Sequence, residues 1–103
     1  VARSTNVDIN KLDKELARTF ESTAKERRVL CRQARDLVDS GLDERDRGHA
    51  LTVDELITHL SDAPEEHSLT ERWNWWMGAL DIAYGGYQQF TIHHLSDEPE
   101  LNR

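Results

Sequence analysis

Seven basic side chains fall on one helical face near the start of this 103-residue chain. Lys11, Lys14, Arg18, Lys25, Arg28, Arg32 and Arg35, with Glu21 among them, follow each other at steps of three and four. At 100° per residue they form one stripe about 36 Å long if the helix is continuous. The chemistry such a stripe does is phosphate neutralisation. The Arg fork pairs two-point with phosphate oxygens, and several cations in register meet successive backbone phosphates. Nothing in the stripe reads base edges, so the binding it predicts is tolerant of sequence, to RNA or single-stranded DNA backbone. Two further readings stay open: the stripe meets an acidic protein surface, including another copy of this chain, or it is a solvated face with its charges paired at i±4.

Trp73, Trp75 and Trp76 make the second cluster. Trp73 and Trp76 share a helical face with Leu69, Met77, Leu80, Tyr84 and Tyr87 and are assigned to the core. Trp75 points the other way, with Ile82 one heptad later, and an outward Trp–Ile pair reads as a partner-binding spot, with burial in a larger bundle and base stacking as the other readings. Catalytic and metal chemistry find little to build on. The His residues lack ligand spacing, no His-Glu-x-x-His motif or Cys pair is present, and Cys31 has no nucleophile motif around it. The expectation is a non-enzyme with no cofactor and no metal.

The elements that would position these residues are all helical. From about 8 to 40 there is neither Pro nor Gly, and Ile9, Leu12, Leu16, Phe20, Thr23, Leu30, Ala34, Leu37 and Val38 line one face, which predicts a single long amphipathic helix ending at Gly41. Residues 41–50 read as a charged loop. Thr52 with Glu55 and Ser68 with Glu71 are capping boxes, opening a short helix over about 52–61 and an aromatic-rich helix over about 69–94, the latter kinked at Gly85-Gly86. The whole is a small all-α bundle in one domain, residues 1–103, with loose ends at 1–7 and 96–103.

Composition bounds the rest. The apolar fraction is 37%, enough for one small core, and no uncharged apolar run reaches membrane-spanning length. A lone cysteine makes no internal disulfide and points to a reducing, cytoplasmic setting. The net charge of −7 hides an asymmetry: residues 1–35 hold nine bases and five acids, whereas residues 36–103 hold four bases and fifteen acids. An acidic total therefore does not exclude a polyanion partner.

The Lys11–Arg35 stripe, the all-α organisation over roughly 8–94 and the missing catalytic motif together resemble, in outline, the small subunits of multi-subunit CRISPR effector complexes. That resemblance implies a non-catalytic, antiviral-defence role along a guide or target strand; the outward Trp75 and Ile82 would dock such a subunit to a partner or to another copy. The rival class is a protein-interaction module (an inhibitor, antitoxin-like partner or adaptor) that works through its acidic and Trp-bearing surfaces without touching nucleic acid.

Overall fold

The computed structural model describes residues 7–93, and every regular element among them is helical. The expected loose ends lie outside this range except for Val7, which is buried. The first helix, α1 (Ile9–Thr19), starts at Asp8, whose carboxylate accepts from the Asn10 and Lys11 amides. It ends at Phe20, so the expected single helix over 8–40 is two. Thr23 is not a core-facing helical residue but the N-cap of α2 (Ala24–Ser40). Its hydroxyl accepts from the Glu26 amide at 3.0 Å while Glu26 accepts from the Thr23 amide at 2.9 Å. A reciprocal cap satisfies two otherwise orphaned amides, and here it outweighs continuing the helix through Phe20–Thr23. Asp13 on α1 meets Arg27 on α2 at 3.1 Å, so the two helices lie antiparallel as a hairpin.

Gly41, with φ 72°, ends α2 in the left-handed region, as its position predicts. The next stretch is no loop. A short helix, α3 (Leu42–Arg47), turns Asp43 into the interior, and a left-handed Gly48 closes it. Helix α4 (Val53–Ser61) starts at Thr52, whose hydroxyl accepts from the Glu55 amide at 3.1 Å. The Glu55 half of that expected capping box is missing, because its carboxylate is turned to Arg47 at 2.9 Å instead.

Helix α5 (Leu69–Tyr84) opens with the full Ser68–Glu71 box. It stops ten residues before the expected end near 94. Gly85 and Gly86 take φ of 83° and 93°, which L-residues rarely adopt. The Asp81 carboxylate then accepts from the Tyr87 amide at 3.0 Å and holds the reversed chain. A single 3₁₀ turn, Gln88–Phe90, follows, and the chain continues extended to Ile92. Tyr84, expected inside, is therefore 48% exposed, whereas Tyr87 is fully buried because it arrives from the returning chain.

One core joins all of this. Leu12 and Leu16 of α1, Leu30, Ala34 and Leu37 of α2, and Leu56 and Leu60 of α4 close around Trp73, Met77 and Leu80 of α5. No helix among the described residues is long and apolar enough to cross a membrane.

Candidate functional site

Breaking the first helix divides the basic stripe. All seven cations are exposed, but with the helix broken at Phe20 helical periodicity no longer places them on one face. Arg28, Arg32 and Arg35 lie along α2 and line an open groove of about 520 Å³ between α1 and α2, together with Ile9, Ala24 and Cys31. Arg27 also reaches this groove, tied to Asp13 and to the Ser22 carbonyl at 3.1 Å. Lys11, Lys14 and Arg18 line no part of it. Arg18 is paired with Glu15 one turn back. Glu21, the acid inside the expected stripe, lines a different groove of about 400 Å³ with Glu65, Glu66 and Glu71. The continuous 36 Å stripe is thus replaced by an α2 face, Lys25 to Arg35, about 15 Å long. Arg28 and Arg32 make no ion pair among the described residues; Arg35 stands 3.9 Å from Asp39, with both side chains largely in solvent. Such an exposed pair holds its partner weakly.

Cys31 lines the arginine groove and is itself buried. Burial pushes its thiol up to about 11, and Asp13 adds to the shift.

The aromatic cluster sorts side chain by side chain. Trp73 is fully buried and its indole Nε1–H donates to the Phe90 carbonyl at 2.7 Å. Asn74 uses both ends of its amide on one residue: Nδ2 donates to the Ile92 carbonyl and Oδ1 accepts from the Ile92 amide, each at 2.7 Å. Trp76 is buried edge-to-face against Trp73, with ring centres 5.6 Å apart, and lies flat on the His59 ring at 4.7 Å. Trp75 is different. It is 38% exposed, and Ile82, seven residues on, is 89% exposed, as the spacing predicts.

Between Trp75 and Ile82 the same face of α5 carries only Gly78 and Ala79, with Ala83 beyond. These five positions follow helical steps of 3, 1, 3 and 1, and none is charged. Helix α5 is therefore apolar on two faces, one in the core and one in solvent. Arg72, the nearest cation in sequence, is taken up elsewhere. It donates to the carbonyls of Leu60 at 3.0 Å and Glu65 at 3.2 Å and lies 4.9 Å over the Phe20 ring.

A buried ionic cluster escaped the reading of the sequence. Asp43, 2% exposed, accepts from Arg47 Nε at 2.8 Å and Nη2 at 3.3 Å. Arg47 also meets Glu55 at 2.9 Å and His59 Nε2 at 3.0 Å, and its guanidinium lies 5.9 Å from the centre of the Trp76 ring. Arg47 is donor-only, so His59 Nε2 accepts and the imidazole is neutral. Burial, and then the Arg47 charge, hold its pKa below the usual imidazole value. The i,i+4 spacing of Asp43 and Arg47 was the available signal, but it reads equally as a surface pair. The cluster is closed on itself and ties α3 to α4 and α5. No group of three or more His, Cys, Asp or Glu side chains among the described residues is placed to hold a metal ion.

No curated protein and no solved structure matches the chain. A family model, described as the WNWW domain, matches residues 1–81. Trp73-Asn74-Trp75-Trp76 spells that description, and the match takes in both grooves, the ionic cluster and the start of the outward face of α5. Covering most of the chain, it shows that this protein belongs to the WNWW domain family.

Proposed function

We propose that the chain is a non-catalytic, cytoplasmic subunit that docks to a protein partner through the outer face of α5. The observation that carries this reading is the solvent exposure of an uncharged stretch of helix face from Trp75 to Ala83, with Ile82 at 89% and Trp75 at 38%. The small residues Gly78 and Ala79 form a saddle between the two large ones, which suits an apolar helix of the partner crossing there with bulky side chains to fill it. Trp supplies much contact area at low entropic cost, which is why it recurs where interfaces concentrate their energy.

The test is capture of a partner by the intact chain, followed by binding of the two purified proteins. Ile82→Asp leaves the fold alone, since the side chain touches little, and is expected to weaken the complex at least about a hundredfold by burying an unpaired charge. A complex that tolerates both Ile82→Asp and Trp75→Ala would refute docking on this face.

A second reading is favoured by the arginine groove. Here α2 meets nucleic-acid backbone through Lys25, Arg28, Arg32 and Arg35, as in the small CRISPR effector subunits the sequence resembles in outline. The seven-residue interface is shortened in this reading, with Lys11, Lys14 and Arg18 as a separate, weaker set. Fluorescence anisotropy with labelled single-stranded RNA, single-stranded DNA and duplex at several salt concentrations tests it. The two readings are compatible in one assembly, and the two sets of variants separate them.

A further inference from the structure

The Trp-Asn half of the motif grips main chain rather than side chains. Trp73 takes the Phe90 carbonyl, and Asn74 takes both the amide and the carbonyl of Ile92, all three at 2.7 Å. A side-chain amide that satisfies one residue's N–H and C=O together reproduces the pairing of a neighbouring β-strand, which is how extended peptides are held independently of most of their sequence.

Selectivity comes from three buried side chains of the held segment. Tyr87 is fully buried, with its hydroxyl donating to Asp46 at 2.9 Å, while Phe90 and Ile92 are 4% and 7% exposed. Gln88 and Gln89 between them are exposed. The cleft therefore reads the pattern Tyr-x-x-Phe-x-Ile on an extended or 3₁₀ backbone.

Two features set this segment apart from the rest of the core. Its covalent link to α5 is Gly85-Gly86, both with positive φ, a joint that turns without side-chain strain and is bridged by one short side-chain bond, from the Tyr87 amide to Asp81. The family match also ends at residue 81, so it includes the clamp and stops short of both the joint and the segment the clamp holds.

We propose that Trp73 and Asn74 form a peptide-binding cleft, filled within this chain by residues 87–93 as an exchangeable ligand and open to the same segment of a second copy. Exchange of an identical element across a hinge leaves every contact in the cleft intact, so it changes the number of chains joined and not the contacts made. This inference is independent of docking on the outer face of α5, and neither test bears on the other.

Two full-length variants with complementary defects test it. Asn74→Ala breaks the clamp and keeps the segment; Phe90→Ala/Ile92→Ala spoils the segment and keeps the clamp. Each alone is expected to sediment as a monomer. Mixed, the intact segment of the first fills the intact clamp of the second, giving a 1:1 species seen by sedimentation and by energy transfer between labelled chains. A mixture of the two folded variants that stays monomeric overturns the proposal. Should either variant fail to fold, hydrogen exchange on the wild-type chain decides. The Ile92 amide is expected to exchange at least about tenfold faster than those of Leu30 to Leu37 in α2, through local release of the segment. Equal rates, with both exchanging only by global unfolding, make residues 87–93 permanent core and overturn it.

Discussion

At the scale of single residues, identity matters less than where the polar atoms end up. Asp43 and Cys31 illustrate the two outcomes. Asp43 is a charged residue in a highly charged stretch, yet it is 2% exposed and held two-point by Arg47. Its substitution leaves the Arg47 guanidinium in a largely dry site with only Glu55 to balance it. Asp43→Ala is expected to cost about 3–5 kcal/mol of stability by urea denaturation. Cys31 lines the arginine groove, yet its thiol, pushed up to about 11 by burial, is protonated at neutral pH. Alkylation by iodoacetamide at pH 8 is expected to be at least about tenfold slower in the folded chain than in urea. Equal rates would mean that the thiolate forms readily in the fold. Trp75 and Ile82 are the residues whose outward direction was fully legible, because helical spacing alone separates the two faces of α5.

At the scale of elements, local caps decide where helices begin and end. The apolar periodicity ran through residues 20–23 without a fault, so periodicity alone could not find the break. Thr23-x-x-Glu26 was the signal, of the same form as the Thr52 and Ser68 boxes, and it is masked because Thr23 also falls on the apolar stripe. Thr23→Ala is expected to remove about 1 kcal/mol of stability. The measurement is chemical denaturation, with Thr58→Ala on the exposed side of α4 as a control.

The joint between α3, α4 and α5 adds a pH dependence. His59 is held neutral in the fold, below its unfolded pKa of about 6.5. Its contribution is therefore complete above that value and is lost as pH falls through the folded pKa, because the unfolded chain takes up the proton first. The melting temperature is expected to fall between about pH 6.5 and pH 5, before most carboxylates titrate. His59→Gln, which keeps an acceptor and cannot charge, is expected to flatten that fall; an unchanged slope would assign it to other groups.

For the whole molecule, the hairpin of α1 and α2 converts one charge stripe into two surfaces. The arginine groove lies between these helices, and the acidic groove lies where their turn meets the start of α5. The consequence is measurable in any polyanion binding. With contacts limited to Lys25, Arg28, Arg32 and Arg35, the slope of log K against log salt concentration is expected to be about −3 to −4. Replacing Arg28, Arg32 and Arg35 by Ala is expected to bring it close to −1, and replacing Lys11, Lys14 and Arg18 to leave it nearly unchanged. Equal losses from both sets would restore a single long interface.

The sequence by itself determined the helical class, the capped starts of α4 and α5, the stop at Gly41 and the outward direction of Trp75 and Ile82. Each depends on residues within about one or two turns of one another, where spacing maps directly onto direction and orphaned backbone amides find local partners. Only the tertiary structure decided that Lys11, Lys14 and Arg18 part company with Arg28, Arg32 and Arg35. It also turned Asp43 inward and brought Tyr87, Phe90 and Ile92 back against α5. Those outcomes depend on groups 14 to 41 residues apart in the chain, such as Asp13 with Arg27, Asn74 with Ile92 and Tyr87 with Asp46. Their meeting is set by how the helices close around Trp73, and no local pattern encodes that closure.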